Sequence, residues 1–173
     1  MMPAINEIHL IPSSLRAGLE HLSNWLAELT QRGQTDGSSS LVNAFRIWRM
    51  HCALLAVGGM GLFESMLQAE IGPDDPLRSA KEGLRAVGRP DLAELLNCYQ
   101  LAVNVLKHGD GQSYLRLLEQ TDQLPFKVKT KDQAFFDEGD VSEIPLLVDA
   151  DEAFVGGLAD TIEATLHAIK IRY

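Results

Sequence analysis

Leu15, Leu19, Leu22, Leu26 and Leu29 recur at steps of three and four residues, with Trp25 beside them. That spacing predicts an amphipathic helix of about 18 residues, with its apolar stripe on one side. Pro12-Ser13-Ser14 supplies its start and Gly33 its stop. Residues 34–40, Gln-Thr-Asp-Gly-Ser-Ser-Ser, read as a flexible polar linker that lets the chain turn back antiparallel. A second helix is expected from Leu41 to Glu70, ending before Gly72-Pro73. It would be roughly 45 Å long at 1.5 Å per residue. From Leu54 to Leu67 it is apolar on several faces, which calls for a central place in a bundle or cover from another subunit. Gly58, Gly59 and Gly61 in this half allow close approach of a neighbouring helix or mark a bend.

Two shorter helices follow, one opened by Asp75-Pro76 and running to Val87, the other opened by Pro90 and running to Lys107. Leu92, Leu95, Leu96, Tyr99, Val103 and Leu106 form the apolar stripe of the latter, and Gly109 is placed to end it in the left-handed conformation. Ser113 to Glu119 makes one more short helix. The period then changes. Phe126-Lys-Val-Lys-Thr-Lys131 alternates every second residue, which predicts an extended segment with its lysines on one side. Asp137-Glu-Gly-Asp140 reads as a turn and Ile144 to Val148 as extended again. Asp149 or Asp151 then caps a last helix with Phe154, Leu158, Ile162, Thr165, Leu166 and Ile169 on its apolar face. The expected fold is all-α: one domain over residues 1–173, a bundle of five or six helices with a long irregular excursion at 121–148.

A chain of 173 residues with 46% hydrophobic and 23% charged side chains fits one globular core. The longest uncharged run, Cys52 to Phe63, is shorter than the roughly 20 residues of a membrane span and reads as a buried helix segment. No basic stretch followed by an apolar one opens the chain, and Cys52 and Cys98 lack metal or disulfide spacing. A cytoplasmic protein is expected. The net charge of −9 is uneven: up to Lys131 there are 14 acids against 13 Lys and Arg, whereas Asp132 to Ile169 holds ten acids and no Lys or Arg. That third disfavours a phosphate backbone and reads as a solvated acidic face.

The densest chemistry is Asn104-Val-Leu-Lys-His-Gly-Asp-Gly111. Asn104 and His108 are one turn apart, and Lys107 borders their edge. A histidine exchanges protons near neutral pH, a lysine stabilises developing negative charge, and an amide orients an oxygen. Asp110 pairs with Lys107 or fixes the imidazole tautomer in this reading. Lys107 and His108 equally suit a helix C-terminus, where cations offset the dipole. Arg46 and Arg49 share a face with Asn43, as a small basic edge or as the solvent side of the helix. Glu64 interrupts an apolar stretch and is expected to pair with Lys107, His108 or an Arg. The five histidines have no metal-site spacing, and no phosphate-loop, dinucleotide or nucleophile-elbow motif occurs, so neither a metal nor a cofactor is expected.

The Asn-x-x-Lys-His-Gly helix ending in an all-α chain resembles the HEPN superfamily, small helical bundles found in RNA cleavage and in anti-phage or toxin–antitoxin systems. The family's motif is an Arg, four to six residues, then His. His108 matches the histidine, but the arginine would fall at Leu101-Ala102-Val103, where there is none. The resemblance thus implies a helical bundle that has lost the catalytic arginine and acts as a binding module. The stretch from Leu124 to Val148 is similar to a bacterial protein group to which no activity is attached. The leading expectation is a non-catalytic module that binds a partner protein and forms a homodimer through the Gly-rich half of the long helix. The alternative is an RNA- or nucleotide-directed enzyme with His108 as general acid/base and Lys107 and Asn104 holding phosphate.

Overall fold

The computed structural model describes residues 7–72, 74–136 and 143–170. Among these it contains six α-helices and no strand: α1 (Leu10–Gly33), α2 (Ser39–Ile71), α3 (Pro76–Ala86), α4 (Pro90–His108), α5 (Gln112–Leu118) and α6 (Glu152–Ala168). A 3₁₀ turn spans Thr121–Gln123.

α1 begins at Leu10, earlier than Pro12-Ser13-Ser14 implied, because proline lacks only an N–H that the first turn leaves unbonded anyway. Ile11, Pro12, Leu15 and Leu29 are its buried side chains. Ser38 caps α2 by accepting from the Leu41 amide at 3.4 Å. The 33-residue α2 then runs back along α1. Two glycines set the antiparallel register. A Cβ on Gly59 would stand 2.6 Å from Leu15, and one on Gly18 2.9 Å from Leu55. The helices therefore interlock leucine over glycine, and Trp48 Nε1 donates to the Leu22 carbonyl at 2.9 Å. Gly58 and Gly61 have nothing near them.

α3 and α4 form a second hairpin. Asp75 caps α3 through the Arg78 amide, and α4 lies centrally, touching α2, α3, α5 and α6. α6 closes the bundle against α1, α2 and α4. Its cap is Asp151, whose carboxylate accepts from the Phe154 amide at 2.8 Å, and not Asp149. Phe63, Leu67, Leu96, Phe154, Leu158 and Ile162 are sealed from solvent, each worth about 1.5–3 kcal/mol in burial. Thr165, on the same face, returns its hydroxyl to the Thr161 carbonyl at 2.8 Å.

The excursion before α6 is irregular apart from one antiparallel bridge, Val128 to Val148. Its lysines are not equally exposed. Lys127 and Lys131 are exposed, whereas Lys129 is tucked in, paired with Glu143 and lying over the Phe135 ring. The expected turn at 137–140 lies outside the described residues.

Among the described residues, several C-terminal acids are paired with cations. Arg16 of α1 binds both Asp160 and Glu163 at 2.7 Å, Arg49 of α2 binds Asp149, and Lys129 binds Glu143. These four acids are thus countercharges to cations from earlier in the chain. α2 is the one helix among the described residues long and apolar enough to cross a membrane by length and composition. One side of it carries Trp48, Cys52, Ala56, Met60, Phe63 and Leu67 into the core. The run from Cys52 to Phe63 is therefore buried on that side only, because Leu54 and Leu62 stand exposed on the other.

Candidate functional site

α4 delivers the sequence-predicted cluster to the surface. The Gly109 amide closes the helix on the Val105 carbonyl at 2.7 Å, and Gly109 itself takes φ 70° and ψ −135°, a positive-φ backbone but not the left-handed helical one. The chain can then break sharply into α5. Between the two helices lies a shallow hollow of about 270 Å³, lined by Asn104, His108, Gly109, Gly111, Gln112 and Ser113. The structure so brings Asn104 and His108 together, one turn apart, and adds an amide and a hydroxyl. Lys107 is exposed and does not line the hollow. Asp110 pairs with Lys131 of the excursion, in place of Lys107 or His108. The excursion is held beside the turn by this pair and by Tyr114, whose hydroxyl donates to the Lys129 carbonyl at 2.9 Å. No described residue of the excursion lines the hollow itself.

Chemically, the hollow offers one imidazole able to pass a proton and three polar groups able to orient a ligand. Among the described residues, no Lys or Arg lines it to hold a phosphate, and no carboxylate lines it to position the imidazole. His108 is exposed at a helix end, which is the placement of a cation that offsets the dipole.

The remaining predicted residues do not join it. Glu64 is half-buried and makes no hydrogen bond or ion pair among the described residues, so it keeps enough water to need no partner. Arg46 is exposed, but Arg49 is not on a solvent edge: it binds Asp149 at 3.3 Å and lies 4.0 Å above the Phe136 ring. It anchors the excursion to α2. Burial, with repulsion from Asp151, holds the Asp149 carboxyl above the usual range despite Arg49.

Two groups escaped the sequence reading. Lys81 of α3 gives its ammonium to the Asn97 and Gln100 amide oxygens of α4, at 3.0 and 2.8 Å. Burial lowers its pKa, with Asp75 raising it and Arg85 lowering it further. Asn97 in turn reaches Glu94 of its own helix at 3.4 Å, and the two Lys81 bonds make the group a tether between α3 and α4. Heptad-like spacing cannot reveal it, since the partners meet only once α3 folds back on α4. Burial pushes the Cys52 thiol up to about 12 and raises that of Cys98, so neither is a nucleophile. Among the described residues, no three His, Cys, Asp or Glu side chains converge as a metal site.

The second group is an apolar groove of about 320 Å³ between the start of α1 and the middle of α2, lined by Leu10, Leu15, Leu54, Leu55, Leu62 and Met66 among others. Leu54 is 60% and Leu62 56% exposed on its rim. The periodicity of α2 signalled an apolar second face, but the contribution of Leu10 required knowing where α1 begins.

Comparisons with protein-family models, with curated proteins and with solved structures give no match.

Proposed function

We propose that this chain is a non-catalytic helical module that binds protein through the outer face of α2, in the manner of a bundle whose catalytic motif has decayed. The observation that carries the reading is the exposed apolar strip with Leu54 and Leu62 at its middle, on a helix whose other side is already used by the core. Large apolar side chains left exposed together in one patch mark a surface that contacts another molecule. The polar hollow at His108 offers less: among the described residues it has one titratable side chain and neither a cation for phosphate nor a carboxylate for the imidazole. A cytoplasmic setting in a defence or toxin–antitoxin system accords with the HEPN-like ending of α4.

The alternative reading, an RNA- or nucleotide-directed enzyme, is favoured by the shared placement of Asn104 and His108 in one hollow. Incubation of the purified chain with RNA separates the two. The binding reading expects intact RNA for wild type and for His108→Ala alike, and cleavage lost in His108→Ala would overturn it.

A further inference from the structure

The outer face of α2 is a ridge of exposed positions: Ile47, His51, Leu54, Gly58, Gly61, Leu62, Ser65 and Ala69. At 100° per residue these lie within about 60° of the Gly58 direction, so they form one straight strip. The strip bears no Asp, Glu, Lys or Arg. His51 is its single titratable group, packed edge-on against Trp25 with ring centroids 5.8 Å apart. Glu64 and Glu70, the acids of α2, are about 120° round the helix from Gly58 and outside the strip.

The strip is also close to symmetric about Gly58. Leu54 and Leu62 lie four residues to either side, His51 and Ser65 seven, and Ile47 and Ala69 eleven. Symmetry of this kind within one helix matters for a single type of partner. When two copies of a helix cross antiparallel about a two-fold axis, residues equidistant from the axis meet. An axis at Gly58 sets each Leu54 against Leu62 of the second copy, each His51 against Ser65, and each Ile47 against Ala69. Large meets large at the centre, a ring nitrogen meets a hydroxyl, and large meets small at the ends. Gly58 has open space above it, so the backbones can come close at the crossing. Leu62 of the second copy then seats at the mouth of the groove, between Leu54 and Leu55.

The extent fits as well. From Ile47 to Ala69 the strip is about 33 Å long. With Leu10 and Ser14 of α1 alongside, at the usual interhelix spacing of about 8–10 Å, the patch is on the order of 600 Å². That is the upper end of what monomers leave exposed and approaches the roughly 800 Å² per partner of a stable interface. We infer that the occupant of this face is a second copy of the chain, its α2 crossing antiparallel at Gly58. The inference rests on the protein-binding reading and gives it a named partner.

The full-length chain carrying photoreactive benzoylphenylalanine in place of Leu54 tests both together, irradiated in cells and as purified protein. The expected adduct has twice the 19.0 kDa mass of the chain, with the cross-link on residues 58–66 of the second copy. An adduct with a different protein would overturn self-pairing while leaving the binding reading intact. A probe that reacts with lipid, or with no macromolecule, would overturn both. Gly58→Cys checks the axis independently, because a residue on a two-fold meets itself. Mild oxidation should yield several-fold more disulfide-linked dimer from Gly58→Cys than from Ser65→Cys, with Cys52 and Cys98 buried and silent. Equal yields would place the axis elsewhere and overturn the proposed crossing.

Discussion

Tyr99 of α4 occupies the space that any side chain on Gly157 of α6 would need: a Cβ there would overlap the hydroxyl and stand 3.2 Å from Cζ. The ring cannot yield, since it is 2% exposed and wedged against Phe126 and Phe154 at centroid distances of 5.3 and 5.2 Å. Burial also pushes the phenol up to about 12, so it stays protonated throughout the useful pH range. This crossing joins α4, α6 and the start of the excursion in one aromatic knot. Gly157→Ala should therefore cost about 1–3 kcal/mol by overpacking. Adding Tyr99→Phe should restore part of that loss, although Tyr99→Phe alone is not stabilising. A denaturant double-mutant cycle reads the coupling, and strict additivity would contradict the contact.

Arg49 ties the excursion to α2 through Asp149 and the Phe136 ring. Truncating one side of a mostly buried ion pair strands the other charge. Arg49→Ala should cost about 2–4 kcal/mol and expose the segment around Phe136 to protease, whereas the exposed Arg85→Ala should do neither. Equal unfolding midpoints for the two variants would show that the latch does not hold the excursion.

Asp149 and Glu163 should bend the stability profile in opposite directions. Burial raises the folded-state pKa of Asp149, so its contribution is complete below the unfolded value of about 3.9 and is lost as pH rises through the folded value. Hydrogen bonding to Arg16 lowers that of Glu163, so its contribution is present above the unfolded value of about 4.3 and is lost on acidification. Relative to wild type, Asp149→Asn should gain stability as pH rises above the ordinary carboxylate value of about 3.9. Glu163→Gln should gain as pH falls below about 4.3. Unfolding midpoints measured across pH decide both signs, and parallel profiles would contradict them.

His108 stands exposed at the end of α4 with no hydrogen bond or ion pair among the described residues. His108→Ala should change unfolding free energy by less than about 1 kcal/mol, the range of a surface charge at a helix end. A loss above about 1.5 kcal/mol would mark a buried hydrogen bond or cap that this surroundings does not contain.

The long helices were largely legible from their 3.6-residue apolar stripes. Asp75, Pro90, Gly109 and Asp151 marked the ends of α3, α4 and α6, whereas the Ser38 cap of α2 lay in a stretch that reads as linker. What stayed hidden was tertiary. The alternation at Phe126–Lys131 could not show that Lys129 turns inward to Glu143 while its neighbours face water. Nor could spacing show that Arg49 meets Asp149 a hundred positions later, or that Asp110 prefers Lys131 to the cations on its own turn. The candidate site was half legible. Helical geometry alone joined Asn104 to His108, but the exclusion of Lys107 and the arrival of Gln112 and Ser113 depend on how α5 leaves Gly109. The apolar outer face of α2 was visible as periodicity.

The mass of the chain in solution, wild type beside Leu54→Asp/Leu62→Asp, tests the role of that face most directly. Both positions are exposed, so the double variant should keep the wild-type helical signal and thermal midpoint to within a few degrees. Light scattering at micromolar concentration should then give a dimer for wild type and a single chain of 19.0 kDa for the variant. A wild type that stays at the mass of one chain at the highest attainable concentration, or a variant that remains dimeric, would contradict the account.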